Sequence, residues 1–280
     1  MNKVLLAVVA HPDDETFGMG GTLALYAKEG VDVHLICATK GEAGEVPAQM
    51  LKGYSSIGEL REHELSCAAN ALGLTKVYFL GYRDSGMAGS SDNDNPNALF
   101  QASVDEVAKK IAFLIRMIKP QVILTFDPIG GYMHPDHIAV HNACVKAFNM
   151  AGDKEIDIQN ASPFSPVKLY FHIFPRGVLK YFVKLMPLFG KDPAKFGKNG
   201  DIDLGSIMKQ DFPTHARINY RIVAEQREKA SACHASQGGD RQSGYFLTWI
   251  LRLLNSNESF MRAVPPPEKG HLEKDLFEGI

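Results

Sequence analysis

The chain is poor in the residues that would make its chemistry obvious. Only four cysteines occur in 280 residues, at Cys37, Cys67, Cys144 and Cys233, and no two form a CxxC pair. That spacing argues against both a thiolate zinc cluster and a disulfide framework, so the plain reading is buried thiols in a reducing compartment. No apolar run is long enough to span a membrane. The first one, Val4 to Ala10, sits at the short end for a signal peptide, and charged residues follow where a small-residue cleavage site would be needed. A buried strand is the better expectation, and a cytoplasmic location follows by default. Charge of one sign is also scarce. A net charge of -2 leaves no basic surface for nucleic acid. GxxxxGK[ST] and GxSxG are both absent, which removes the simplest P-loop and serine-hydrolase readings. Gly18-Met19-Gly20-Gly21 is not GxGxxG, and it follows a charged stretch instead of a strand, so it does not mark a dinucleotide loop.

What the chain does have is core. Hydrophobic residues make up 45% of it, and strand and helix signals alternate. Strands are expected at 4–10, 31–38, 76–80, 122–126 and 167–174. Helices are expected at 21–29, 57–72, 103–118 and from 135 to about 150. Val104, Val107, Ala108, Ile111, Leu114, Ile115 and Ile118 recur at helical spacing, and Pro120 stops that helix. Near-continuous apolar strands alternating with helices predict an α/β fold, a Rossmann-like, mostly parallel sheet with helices on both faces. Residues 1–175 read as the catalytic core. Residues 176–280 read as a C-terminal extension packing on the same domain, with helices at 222–235 and 245–254 and a tail from Val264. Ligands in such sheets bind beyond the carboxyl ends of the strands.

Two polar clusters fall there. Ala10-His11-Pro12-Asp13-Asp14-Glu15 directly follows the first strand. Three adjacent acids raise one another's pKa unless a positive charge is near, and a divalent metal supplies one. The alternative is a solvated acidic turn that caps the next helix. His134-Pro135-Asp136-His137 follows the fourth strand, with His141 one turn later. Pro135 fits a first helical turn, and histidines three apart share a face. A helix start with surface histidines is the alternative here. Together the clusters offer imidazole and carboxylate for a catalytic zinc site, a donor set that also admits iron or manganese.

The pair AHPDDE and HPDH resembles the PIG-L or LmbE-like zinc deacetylases of N-acetylglucosaminyl compounds. Further blocks look similar in order: Thr39 to Gly44, Arg61 with Glu64, Tyr82 to Met87, Asp127 to His137, and Lys229 to His234 with Gln237. The wording YRDSGM and GGYMHPDH is closest to the mycothiol-pathway branch. The resemblance covers the first half well and the second half in places. It implies His11, Asp14 and His137 as metal ligands and Asp13 as general base. It implies that His134, oriented by Asp136, assists the tetrahedral intermediate and protonates the leaving amine. Tyr132 would help polarise the carbonyl, and Arg61 and Asp84 would contact the sugar. The division of labour between Asp13 and Asp14 comes from the resemblance, since spacing does not show it.

The expected reaction is removal of an N-acetyl group from an N-acetylated amino sugar, a small-molecule partner, by zinc-activated water. An amidase acting on a larger thiol-sugar conjugate stays open as an alternative. So does a non-catalytic carbohydrate-binding module, although Asp13, His134 and Asp136 together argue for chemistry. His234 either reaches the site from the C-terminal region or is an ordinary histidine at a helix end. His141 reads as a supporting residue and not a fourth ligand. The aromatic run Val178 to Phe189 reads as packing, with a lid, a homo-oligomer contact or a membrane-surface patch as alternatives.

Overall fold

The computed structural model of the protein describes residues 2–174, 183, 185–189, 192–194, 203–239 and 256–280. The helix expected at 245–254 and half of the aromatic run 178–189 (178–182 and 184) lie outside the described residues.

Five parallel strands form the centre. They are β1 (Val4–Val9), β2 (Asp32–Cys37), β3 (Lys76–Phe79), β4 (Val122–Phe126) and β5 (Lys168–Ile173). Between them run α1 (Asp14–Lys28), α2 (Ile57–Leu72), α3 (Val104–Ile118), a short turn of helix α4 (Gly130–Met133) and α5 (Pro135–Gly152). The described part of the C-terminal region adds α6 (Leu204–Ile207), β6 (Ala216–Asn219), α7 (Ala224–Cys233) and β7 (Asn257–Val264). The sheet has the order β3-β2-β1-β4-β5-β7-β6, with β7 and β6 antiparallel to their neighbours. The chain builds outward from β1 through β2 to β3, then returns through α3 to β4 on the other side of β1. That reversal leaves a crevice at the carboxyl ends of β1 and β4.

Local sequence explains most of these elements. All of β4 and five of the six residues of β1 are buried, as strands covered on both faces require. The N-cap Ser103 accepts a hydrogen bond from Glu106 N, and α3 buries Val107, Ala108, Ile111, Ala112 and Ile115 before Lys119 turns left-handed. In α2, Ser56 caps Glu59 N and Gly73 closes the helix in a left-handed turn.

Three expectations change. Helix α1 begins at Asp14 and not at Gly21, but it is broken at Met19 (φ -139°, ψ 17°). The break frees the backbone N–H groups of Gly21 and Thr22, and the buried Glu258 carboxylate of β7 accepts both, at 2.9 and 2.7 Å. The tail expected from Val264 packs back instead. Glu273 is buried and accepts from Lys168 Nζ (2.8 Å), Arg262 NH1 (2.7 Å) and Tyr170 OH (2.9 Å). Finally, the cysteines are not all thiols. Cys67 and Cys233, 166 residues apart, form a disulfide between α2 and the end of α7, while Cys37 and Cys144 are free and buried. Helix packing brings together what spacing kept apart, and the cysteine argument for a reducing compartment falls with it. Among the described residues no helix is long and apolar enough to cross a membrane.

Candidate metal centre and active site

The strand exits of β1 and β4 place the two polar clusters face to face. His11, buried at the end of β1, turns its Nδ1 toward Asp14 Oδ2 (3.5 Å) and His137 Nε2 (3.3 Å). His137 Nε2 lies 3.2 Å from Asp14 Oδ1. Phe126 stacks on the His137 ring at 4.0 Å and fixes its plane. The turn before α5 needs Gly130. Its φ is +63°, and a Cβ there would stand 2.7 Å from that of His137. Asp127 holds the same turn by accepting from Ile129 N and Gly131 N.

Other donor sets are also close. His11, His134 and His137 bring ring nitrogens within 4.8 Å of one another, and so do the donor atoms of His11, Asp84 and Asp136. Tautomers decide between them. His137 Nδ1 is 3.2 Å from the Gly130 carbonyl, which only accepts, so Nδ1 carries the proton and Nε2 the lone pair. His11 Nε2 faces two acceptors, Asp136 Oδ2 at 3.1 Å and Asp84 Oδ1 at 3.3 Å, which leaves its lone pair on Nδ1. Two lone pairs 3.3 Å apart, both beside the Asp14 carboxylate, call for a cation between them. His134 differs: its Nδ1 accepts from Asp136 N (3.2 Å), so its Nε2 is a donor. His11, Asp14 and His137 therefore fit a divalent ion, and His134 fits a hydrogen-bond donor at its side.

Titration agrees with that division. Burial alone would depress His11, yet Asp84, Asp136 and Asp14 raise it well above the usual imidazole value. Burial pushes Asp14 up, but His137 and His11 outweigh it and hold its carboxyl well below the ordinary range. Asp13 goes the other way. Burial raises it to about 6, against the pull of Arg61 and with a further push from Asp14. Burial, with His11 and His137, brings His134 down to about 2, so it is neutral. Burial also raises the Tyr132 phenol, whose ring lies edge-on to His137 at 4.9 Å and to His134 at 5.8 Å.

The structure revises how several of these residues are held. Asp136 was expected to orient His134 with its carboxylate. That carboxylate instead meets His11 Nε2 and Ser85 N (2.9 Å), while His134 caps α5 through the backbone N–H of Asp136. Arg61 and Asp84 do not pair with each other. Arg61 donates to Gly41 O (2.9 Å), Pro12 O (2.5 Å) and Asp13 Oδ2 (3.0 Å). Gly41 makes room for it, since a Cβ there would lie 2.0 Å from the guanidinium. Asp84 accepts from Gly86 N, Ala43 N and His11. His141 binds the Phe126 carbonyl at 2.9 Å and stands behind the cluster.

Sequence reasoning gave Glu15 no part of its own. Its carboxylate is fully buried and accepts from His234 Nε2 (2.7 Å), Thr16 OH and Asp13 N (2.9 Å). Asp13 itself sits at φ +118°, where residues with a side chain rarely go.

Comparison with known proteins is consistent with this geometry. A 1D-myo-inositol 2-acetamido-2-deoxy-alpha-D-glucopyranoside deacetylase of Catenulispora acidiphila is 41% identical over 99% of this chain and 97% of its own length. The N,N'-diacetylchitobiose deacetylase of Pyrococcus horikoshii shares the fold, with a TM-score of 0.61 at 20% identity over 93% of this chain and 84% of that one. So does a 4-carboxy-2-hydroxymuconate hydratase of Pseudomonas putida, with a TM-score of 0.61 at 19% identity over 95% and 98%; the fold alone therefore does not fix the reaction. The family model described as GlcNAc-PI de-N-acetylase, PIG-L, matches residues 6–148, just over half of the chain. This chain belongs to the PIG-L family.

Proposed function

We propose that this protein hydrolyses the N-acetyl group of an N-acetylglucosaminyl compound to acetate and the free amine, using a divalent metal held by His11, Asp14 and His137. The observation that carries this reading is the pair of imidazole lone pairs converging on Asp14. The full-length relative, named for deacetylating an inositol-linked 2-acetamido sugar, supports that substrate class. Zinc suits three N/O donors with an open position, and iron or manganese suits the same donors. Bound there, the metal would supply a Lewis acid that acidifies water and polarises the amide carbonyl.

The protein's own groups do the rest. Asp13, its carboxylate held by Arg61 beside the cluster, takes the proton of the attacking water and passes it to the amine nitrogen as the C–N bond breaks. His134, neutral and with Nε2 as a donor, hydrogen-bonds the oxyanion that develops as the carbonyl is attacked. Tyr132 presents a phenol that stays protonated on the same side. Asp136 keeps His11 in the tautomer that leaves Nδ1 free. Asp84 Oδ2, which accepts only from Ala43 N among the described residues, has a lone pair for a sugar hydroxyl. Arg61 serves the substrate through Asp13. Cytoplasmic action is part of the proposal.

The test is amine release from a panel of N-acetylated sugars, one of them an inositol glycoside and one a thiol-sugar conjugate, with metal analysis of the same preparation. Binding of these sugars without turnover by metal-loaded protein would make the chain a carbohydrate-binding module and end the proposal.

A further inference from the structure

Asp13 is held from two sides, and the second side comes from the far end of the chain. Arg61 of α2 grips its carboxylate and the preceding carbonyl. Glu15 accepts its backbone N–H, and His234 donates to Glu15 from the end of α7. Both members of the His234–Glu15 pair are completely buried. The segment around His234 is itself tied down on either side. Cys233 is bonded to Cys67, and Ser236 donates through N and OH to Glu64 at 2.8 and 2.7 Å. Arg61, Glu64 and Cys67 lie three residues apart along α2, so one helix anchors both grips.

Asp13 needs such support because its φ of +118° is one that a residue with a side chain leaves when free to do so. A carboxylate accepting two or three donors is fixed only if the donors are fixed. Among the described residues, His234 supplies the one donor to Glu15 that comes from outside the 13–16 turn. From this we infer that His234 is a positioning residue for the reaction: through Glu15 it holds the Asp13 backbone so that the carboxylate stands where the attacking water is deprotonated. The inference rests on the role given to Asp13 in the proposed function.

The experiment compares wild type, His234→Ala and His234→Gln at matched metal content, with amide hydrogen exchange at Asp13 followed in the metal-free proteins. Glutamine Nε2 reaches close to where histidine Nε2 stands, so it restores the donor. In His234→Ala, kcat falls at least tenfold with KM within threefold, and the Asp13 amide exchanges at least tenfold faster. His234→Gln returns both to within about threefold. Wild-type kcat in the folded, metal-loaded fraction of His234→Ala, or unchanged exchange at Asp13, overturns the inference. If His234→Ala does not fold, Glu15→Gln carries the same test, because in either orientation its amide nitrogen confronts at least one of the three donors, Asp13 N on one side or His234 Nε2 and Thr16 OH on the other. A wild-type protein without amine release fails the functional reading instead, and the exchange measurement then decides this one by itself.

Discussion

The backbone of Asp13 offers a sharp test of how this site is built. A non-glycine residue at φ +118° stores roughly 1–3 kcal/mol. Asp13→Gly releases that strain, while Asp13→Ala keeps it. Both lose the carboxylate and its pair with Arg61, so that contribution cancels between them. Glycine also loosens the unfolded chain, which costs about 0.4–1 kcal/mol. Asp13→Gly should therefore be more stable than Asp13→Ala by about 1–2 kcal/mol. For a chain of this length the difference is a melting temperature about 2–6 °C higher. Urea unfolding of the two metal-free proteins, followed by circular dichroism, measures it directly. Both variants should lose about 10²–10⁴ in kcat, because each lacks the proposed base. The outcome would be a protein stabilised at the position that disables it, as expected where strain is kept for function. If Asp13→Ala equals or exceeds Asp13→Gly in stability, the turn is not strained and the argument fails.

Other outcomes follow from the same geometry. Zinc added to metal-free protein at a hundred times its dissociation constant should stabilise it by about 2.7 kcal/mol, seen as a raised melting temperature, and His11→Ala should abolish that rise. Asp84→Ala should lose about one to two orders of magnitude more activity on an N-acetylglucosaminyl substrate than on a small acetamide, since an unmet buried partner costs roughly 1–3 kcal/mol; equal losses would assign Asp84 to supporting His11 alone. Glu273→Ala strands the buried Lys168 and should cost about 3–5 kcal/mol in urea unfolding, with kcat per folded molecule unchanged because Lys168 starts β5 at the end away from the site. If the protein acts in the cytoplasm, Cys67 and Cys233 should be recovered as thiols from rapidly quenched cells; recovery of the bonded pair there would count against that location.

What the sequence made legible was local. Helix α2 could be read to its last residue because Gly73 ends it, and β4 because an apolar run stops at Asp127. The site clusters were legible for the same reason, each being a short run of ligand-type residues at a strand exit. What escaped was held by partners far along the chain. Gly18, Gly20 and Gly21 weaken helix propensity, so the start of α1 was placed too late, and the carboxylate that caps its break comes from Glu258. β6 has four residues and β7 pairs antiparallel with β5, so neither carried the pattern of a buried parallel strand. The Cys67–Cys233 bond and the Glu15–His234 pair join residues 166 and 219 positions apart, beyond anything motif spacing reports. The resemblance implies that Asp136 orients His134, but the cap of α5 joins them through the Asp136 backbone and leaves the carboxylate on His11.

The capture of Gly21 and Thr22 by Glu258 has a consequence for synthesis. The helix α1 is translated well before the carboxylate that closes its break, which follows Thr22 by 236 residues. A ribosome still short of residue 258 holds a chain with His11, Asp14 and His137, the proposed metal ligands, translated and α1 unsupported. The nascent chain therefore waits, with its β5 edge and the broken helix unprotected, until the C-terminal strands dock. Pairings this far apart close slowly and leave apolar strands open to self-association in the interval. Production of the active protein should then depend more on conditions during translation, such as temperature and chaperone supply, than on the stability of the finished molecule.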